Sequence, residues 1–203
     1  MILGKAEILK QIKSGDIVIE PFNEDNLGPN SYDVTLSPLL GFYAPNAGDA
    51  YESCSGRLKQ PNIDPEFILD CGKENEFHVI EMINGYADLY PNIVYLASTN
   101  EYTESHESVP FLNGKSSLAR LGLAVHQTAG WGDIGFCGNW TLELTVAQPL
   151  RIYANMPIGQ IVWQDIMGVD GSYGERSESK YNQERPSPTP VPSKMWKNKF
   201  FAK

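Results

Sequence analysis

Apolar and polar positions divide the chain into one short helical segment followed by a long succession of strands. Ala6, Ile8, Leu9 and Ile12 recur at helical spacing between residues 5 and 14, and Gly15 supplies a stop, which predicts an amphipathic helix there. Beyond it the helical period disappears. Short apolar or alternating runs follow: IVIEPF, YDVTL, EFHVIEM, IVYLAST, LGLAVHQ, NWTLELTV, LRIYA and IGQIVW, separated by Pro, Gly and Asn clusters. This pattern predicts a mainly β sandwich or barrel. Within NWTLELTV, Trp140, Leu142, Leu144 and Val146 alternate with Asn139, Thr141, Glu143 and Thr145, so the first set is expected to face a core and the second to face away from it. Residues 41 to 75 read as a long, loop-rich insertion in which no chemistry is legible. Residues 168 to 192, rich in Gly, Ser, Pro and charge, have the composition of a disordered terminus.

Composition narrows the classes open to such a chain. Its 203 residues suit one domain with an ordinary core, and 41% hydrophobic with 20% charged residues is globular. No apolar run approaches a membrane span. The start, MILGKAEILKQIKSG, lacks the continuous apolar core of a secretory signal, so a cytoplasmic protein is expected. Cys54, Cys71 and Cys137 are an odd, scattered set, which argues against a disulfide framework or a thiolate zinc site. A net charge of −9 argues against a duplex-binding surface, because a polyanion needs clustered lysine and arginine. The last stretch departs from that average. From Arg176 onward, Arg176, Lys180, Arg185, Lys194, Lys197, Lys199 and Lys203 outnumber Glu178 and Glu184. We therefore divide the chain into a body, 1–175, and a basic tail, 176–203, which is either a solvated terminus or a flap over a small anion.

The segment from Asn113 to Leu144 holds the candidate chemistry. Gly114-Lys115-Ser116-Ser117 precedes the helix-compatible Leu118-Ala119-Arg120. Serines opening a helical turn offer hydroxyls and backbone N–H groups to phosphate oxygens, although Ser is equally a common N-cap. Arg120 follows Ser116 by four residues and would share its face, so one small anion could meet Lys115, the helix start and Arg120 together. Glu143 is the only acid in its strand; it is either a solvent-facing glutamate or a general base projecting into a pocket. TAGWGDIGFCG packs four glycines around Asp133 and Phe136, as a tight hairpin brought close to a ligand requires. Asp133 reads as a turn cap or as a holder of a ribose hydroxyl or a water. His126 reads as a satisfied structural histidine.

In this order the elements resemble the dCTP deaminase branch of the trimeric dUTPase superfamily. The resemblance covers LGPNSYDVTL (Leu27 to Leu36), GKSSLARLGL (Gly114 to Leu123), VHQTAGWGDIGFCGNWTLEL (Val125 to Leu144), MPIGQIVW (Met156 to Trp163) and SKY (Ser179 to Tyr181). It implies a distorted jelly-roll or β-clip fold of the dUTPase type with a short N-terminal helix, assembled as a homotrimer whose sites lie between subunits. It implies hydrolytic deamination of dCTP at C4 to dUTP and ammonia, in pyrimidine deoxynucleotide supply. Glu143 matches the catalytic glutamate, which activates water and passes its proton toward the departing amine. Ser116 and Arg120 match residues against the base and phosphates, with Lys115 and Ser117 beside them in the binding set. Ala129 matches a position whose backbone carbonyl orients the water. Phe136 matches the ring that packs on deoxyribose and leaves no room for a 2′-hydroxyl. Asp133 matches the aspartate on the 3′-hydroxyl, which in diphosphatases of this fold orients the water attacking phosphorus. Asp33 matches the acid that holds Mg²⁺ through water, the metal riding on the triphosphate, and Tyr173, Lys180 and Gln183 belong to the part that closes on the nucleotide.

The resemblance also implies no zinc, since the H-x-E…P-C-x-x-C arrangement of zinc deaminases is absent and His78, His106 and His126 have no such partners. It implies dTTP as a feedback inhibitor, and neither nucleic acid nor membrane as partner. The hairpin HQTAGWGDIGF looks like that of bifunctional members, which carry dUTP on to dUMP and diphosphate, and a glycine at 130 would leave space for a second water. The tail departs from the usual pattern: four residues after Lys180 stands Glu184, with the glutamine at Gln183. The alternatives are a dUTP diphosphatase without deaminase activity, and a nucleotide-binding regulator of the same fold without turnover.

Overall fold

The computed structural model describes residues 1–43 and 67–201. Cys54, Lys203 and most of the insertion expected over 41 to 75 lie outside the described residues. The helix forms where its apolar spacing predicts: α1, Lys5–Ser14, buries Ile8 and ends on Gly15, whose φ of 86° lets its N–H reach the Ile12 carbonyl. Leu9 and Ile12 pack half-buried against the same core.

Ten strands follow among the described residues. They are β1 (Ile17–Glu20), β2 (Tyr32–Phe42), β3 (His78–Glu81), β4 (Tyr86–Leu89), β5 (Tyr95–Ser105), β6 (Ser108–Gly114), β7 (Leu123–Ala124), β8 (Cys137–Val146), β9 (Leu150–Tyr153) and β10 (Pro157–Asp165), with a single helical turn, α2 (Ser116–Ala119), after β6. The main sheet runs β6-β10-β2-β5-β8-β7, with β1 added on β5 and β3 on β2, while β4 and β9 form a separate pair. Among the described residues no helix is long and apolar enough to cross a membrane.

Several boundaries differ from the sequence pattern, and β4 and β6 form where no strand run was expected. IVIEPF stops as a strand at Glu20, before Pro21, which has no N–H for the ladder. LGLAVHQ contributes only Leu123 and Ala124. Gly41 and Phe42, expected in the insertion, complete β2 instead and pair with His78 and Val79 of β3.

The core explains why the strands keep their faces. Trp140, Leu142, Leu144 and Val146 are buried as their alternation requires. Trp163 is buried because its indole N–H donates to the Ser105 hydroxyl at 2.9 Å, and Trp140 because its indole N–H donates to Thr103 at 2.9 Å. Asn139, expected on the outward face, is buried as well. The β5–β8 register slips between Ser98 and Tyr102, which leaves backbone groups of β5 without ladder partners. The Asn139 amide supplies them, donating to the Thr99 and Asn100 carbonyls at 3.0 and 3.2 Å.

The tail is packed on the body, against the disorder its composition suggested. The Ser37 hydroxyl donates to the Pro188 carbonyl at 2.8 Å, and Pro190 is buried. Hydrophobic burial is slight here. Side-chain acceptors on the sheet hold the tail's backbone N–H groups, a device that composition does not register.

Glu101, at the same irregularity in β5, is 3% exposed and accepts from the Thr35 N–H and hydroxyl, both at 2.8 Å. Burial raises its carboxyl pKa above the ordinary 4.5, and the two Thr35 bonds only partly offset this. In the window above 4.5 the folded state therefore binds more protons than the unfolded state, so this group makes stability fall as pH rises through the window. Glu101→Gln is expected to flatten that fall in denaturant unfolding followed from pH 4.5 upward; an unchanged slope would show that Glu101 does not carry it.

Candidate active site

β8 positions the site. Its outward residues form a row, and the tail is laid along it. The Cys137 N–H donates to the Asn182 side chain at 3.0 Å, and the Gln183 N–H returns to the Cys137 carbonyl at 2.8 Å. The Asn139 N–H donates to Gln183 Oε1 at 3.0 Å, and the Val191 N–H donates to the Thr141 hydroxyl at 3.1 Å. Glu143 is next in the row. It is half-buried, and its Oε2 accepts the Gln127 N–H at 2.9 Å, which fixes the carboxylate without consuming its other oxygen in that bond.

Glu143 lines a cavity of about 530 Å³, within the range of small-molecule sites. The glycine-rich hairpin supplies one wall with Ala129, Gly132, Asp133 and Phe136, and another is supplied by Tyr173, at the end of the body, with Tyr181 and Gln183 of the tail. Phe136 is held by rings on both sides, Trp140 at 5.1 Å and Tyr173 edge-on at 6.2 Å between centroids. Tyr173 is fixed by its N–H to the Ile134 carbonyl at 2.7 Å and by its hydroxyl, which accepts the Lys180 N–H at 3.1 Å. Asp133 is exposed, with Arg176 at 3.7 Å, a pair that contributes little to stability at such exposure. Gln183, not Glu184, faces the cavity; Glu184 is exposed.

The remaining expected residues are not in this cavity. Asp33, Lys115, Ser116, Ser117, Arg120 and Lys180 are absent from its lining. Arg120 does share a face with Ser116, and its guanidinium donates to the Ser116 carbonyl at 3.0 Å. Ser116, Ser117 and Arg120 are exposed, and neither serine caps α2, whose N-cap is Lys115. The anion cradle expected there is not assembled, because the Lys115 ammonium is ion-paired to Asp33 instead. A single-turn α2 also lacks the length to sum a macrodipole.

That pairing bears on magnesium. Among the described residues no three His, Cys, Asp or Glu side chains come together as a metal site. The donor set around Asp33 does not fit a resident ion, and one carboxylate suits only an outer contact to an ion carried by a ligand.

Two hairpin readings change. The room that Gly130 leaves does not open on the cavity: a Cβ there would lie 2.5 Å from the Leu112 carbonyl and 2.8 Å from His126 Nε2. His126 is not satisfied either, since its Nδ1 is buried with no hydrogen-bond partner.

Sequence reasoning missed Tyr43, Leu96, Thr141 and the Val191–Ser193 stretch, all of which line the cavity. The alternation in β8 placed Thr141 in Glu143's row. Nothing in sequence pointed to Tyr43.

A sequence model of the dCTP deaminase-like family matches residues 2–166. Among curated relatives, a "dCTP deaminase, dUMP-forming" of Clostridium botulinum (strain Alaska E43 / Type E3) is 42% identical over 181 residues, covering 89% of this chain and 90% of that one. One of the same name from Leptospira biflexa (serovar Patoc, strain Patoc 1 / Ames) is 40% identical over 181 residues, with the same coverage. Among solved structures, the 2'-deoxycytidine 5'-triphosphate deaminase from Agrobacterium tumefaciens superposes with a TM-score of 0.56 at 17% identity, covering 81% of this chain and 48% of that one. The chain thus spans about half that protein's length, and the likeness shows the fold alone: a mainly β fold shared with that deaminase, with one short N-terminal helix.

Gly130→Ala tests the packing of the hairpin. Overpacking against the Leu112 carbonyl is expected to lower unfolding stability by about 1–3 kcal/mol, read as a lower denaturant midpoint. An unchanged midpoint would mean that the hairpin shifts to admit the methyl group.

Proposed function

Because the chain belongs to the dCTP deaminase-like family, we propose that it deaminates dCTP and carries the product on to dUMP and diphosphate in the same site. The observation that supports this most is the placement of Glu143: a half-buried carboxylate on a strand fixed by the core, lining a cavity of about 530 Å³, with one oxygen held by a backbone N–H. The curated relatives named "dCTP deaminase, dUMP-forming" supply the substrate and product.

In this reading Glu143 takes a proton from a water, which adds to C4 of the cytosine ring. The carboxyl then returns that proton to the exocyclic nitrogen, the C4–N bond breaks, ammonia leaves, and the proton of the new C4 hydroxyl passes to N3, which gives uracil. The Ala129 carbonyl orients the water. General-base catalysis contributes about 10² to 10⁴-fold, so oriented binding and fixed dipoles supply the remainder. Phe136, braced by Trp140 and Tyr173, packs against deoxyribose where a 2′-hydroxyl would otherwise fit. Asp133, on the same wall, meets the 3′-hydroxyl and orients the second water toward phosphorus. dTTP, with the same sugar and phosphates, would compete for this pocket as an inhibitor.

The phosphate-side residues enter from another subunit of a homotrimer. Support comes from their position: Ser116, Ser117 and Arg120 are exposed and stand outside the Glu143 cavity, so one chain offers two half-sites. Magnesium arrives on the triphosphate, and Asp33 is the residue that would face it through water. The enzyme acts on free nucleotides of the cytoplasm.

Glu143→Gln keeps the side chain's shape but cannot take a proton. It is expected to lower ammonia release from dCTP by about 10²-fold or more while nucleotide binding stays within a few-fold. Undiminished ammonia release would refute the assignment. Shared sites make a second prediction: Glu143→Gln and Arg120→Ala chains, each inactive alone, recover activity when unfolded together and refolded as mixed oligomers. Failure to recover any would place both residues of a working site on one chain.

A further inference from the structure

The tail reaches the cavity through one contact that no motif signals. Beyond Val191 its next anchor is Tyr43, the residue after β2: the Ser193 N–H donates to the Tyr43 hydroxyl at 2.6 Å. Tyr43, Val191, Pro192 and Ser193 all line the cavity that Glu143 faces. Tyr43 is itself braced, packing on Phe77 with ring centroids 5.1 Å apart. Phe77 lies over Gly41, where a Cβ would come within 2.1 Å of its ring, so β2 gives up a side chain to seat that brace. Burial pushes the Tyr43 phenol pKa up, against the pull of the Ser193 bond, which keeps it a neutral hydroxyl through the physiological range.

The following residue ties the same point to the Ser179-Lys180-Tyr181 segment. The Lys194 N–H donates to the Tyr181 hydroxyl at 3.0 Å, and its ammonium donates to the Lys180 carbonyl at 2.7 Å. Ser193 and Lys194 are thus clasped on one side to the end of β2 and on the other to the segment carrying Lys180.

We propose that Tyr43 is a positioning residue of the nucleotide site, holding the tail at Ser193 and thereby setting the Val191–Ser193 wall and the place of Lys180 and Tyr181. The inference rests on reading the cavity as a nucleotide site and extends it to a residue outside the motifs. Tyr43 touches no reacting atom in this scheme. Its effect belongs in binding, and it depends on the hydroxyl, where a purely space-filling ring would not.

Tyr43→Phe removes the acceptor and keeps the ring, and Ser193→Pro removes the donor. Each is expected to raise KM for dCTP about two- to ten-fold, the equivalent of one hydrogen bond, with kcat within two-fold. The double variant is expected to be no worse than either single one, because both remove the same bond. In the unliganded protein, trypsin is expected to cut after Lys194 and Lys197 several-fold faster in Tyr43→Phe than in the unsubstituted chain. A wild-type KM, or effects that multiply in the double variant, would overturn the positioning role. An unchanged cleavage rate would overturn the clasp itself. Should the unsubstituted protein release no ammonia from dCTP, the reading of the cavity fails, and the trypsin comparison still decides the clasp.

Discussion

A strand with one face sealed in a core has no latitude about where its other face points, and β8 is such a strand. Leu142 and Leu144 are fully buried on either side of Glu143, so rotating the carboxylate inward would expel two leucines, each worth about 1.5–3 kcal/mol of burial. The position of the Glu143 carboxylate is therefore enforced by hydrophobic packing. The tail depends on the same row, since its bonds to Cys137, Asn139 and Thr141 require those groups to emerge at a two-residue period. The row, the glycine-rich hairpin and the tail make the cavity between them.

Periodicity showed in the sequence wherever burial was one-sided. The helix and its glycine stop and the inward set of β8 are where their spacing places them. Pattern failed where the deciding interaction was a hydrogen bond between segments distant in sequence. Asn139 is buried because a register slip in β5 leaves carbonyls that its amide satisfies, and no local rule anticipates a bulge on the neighbouring strand. The tail looks disordered by composition because it buries few apolar groups, yet Thr141, Asn139 and Tyr43 hold its backbone. Tyr43 stood in a stretch that reads as featureless loop.

The candidate site was legible through its motifs more than through its physics. Glu143, Ala129, Asp133, Phe136, Tyr173 and Gln183 come together around one cavity. Lys115, Ser116, Ser117, Arg120 and Asp33 do not join them within the chain. Lys115 and Asp33 neutralise one another instead. Gly130 carries a different lesson: its residue type was noticed correctly, but the space it leaves belongs to the Leu112 carbonyl and His126.

In the proposed reaction a single pocket built on Glu143 adds water to C4 of a cytosine nucleotide before the phosphate chain is cut. Turnover of dCTP with Mg²⁺ in ¹⁸O-labelled water, followed by mass spectrometry of the pyrimidine product, tests it most directly. The expected product is dUMP with one labelled oxygen at C4 of the base, formed in equal amount with ammonia. Recovery of dCTP without label or ammonia, from protein that cleaves added dUTP, would contradict it.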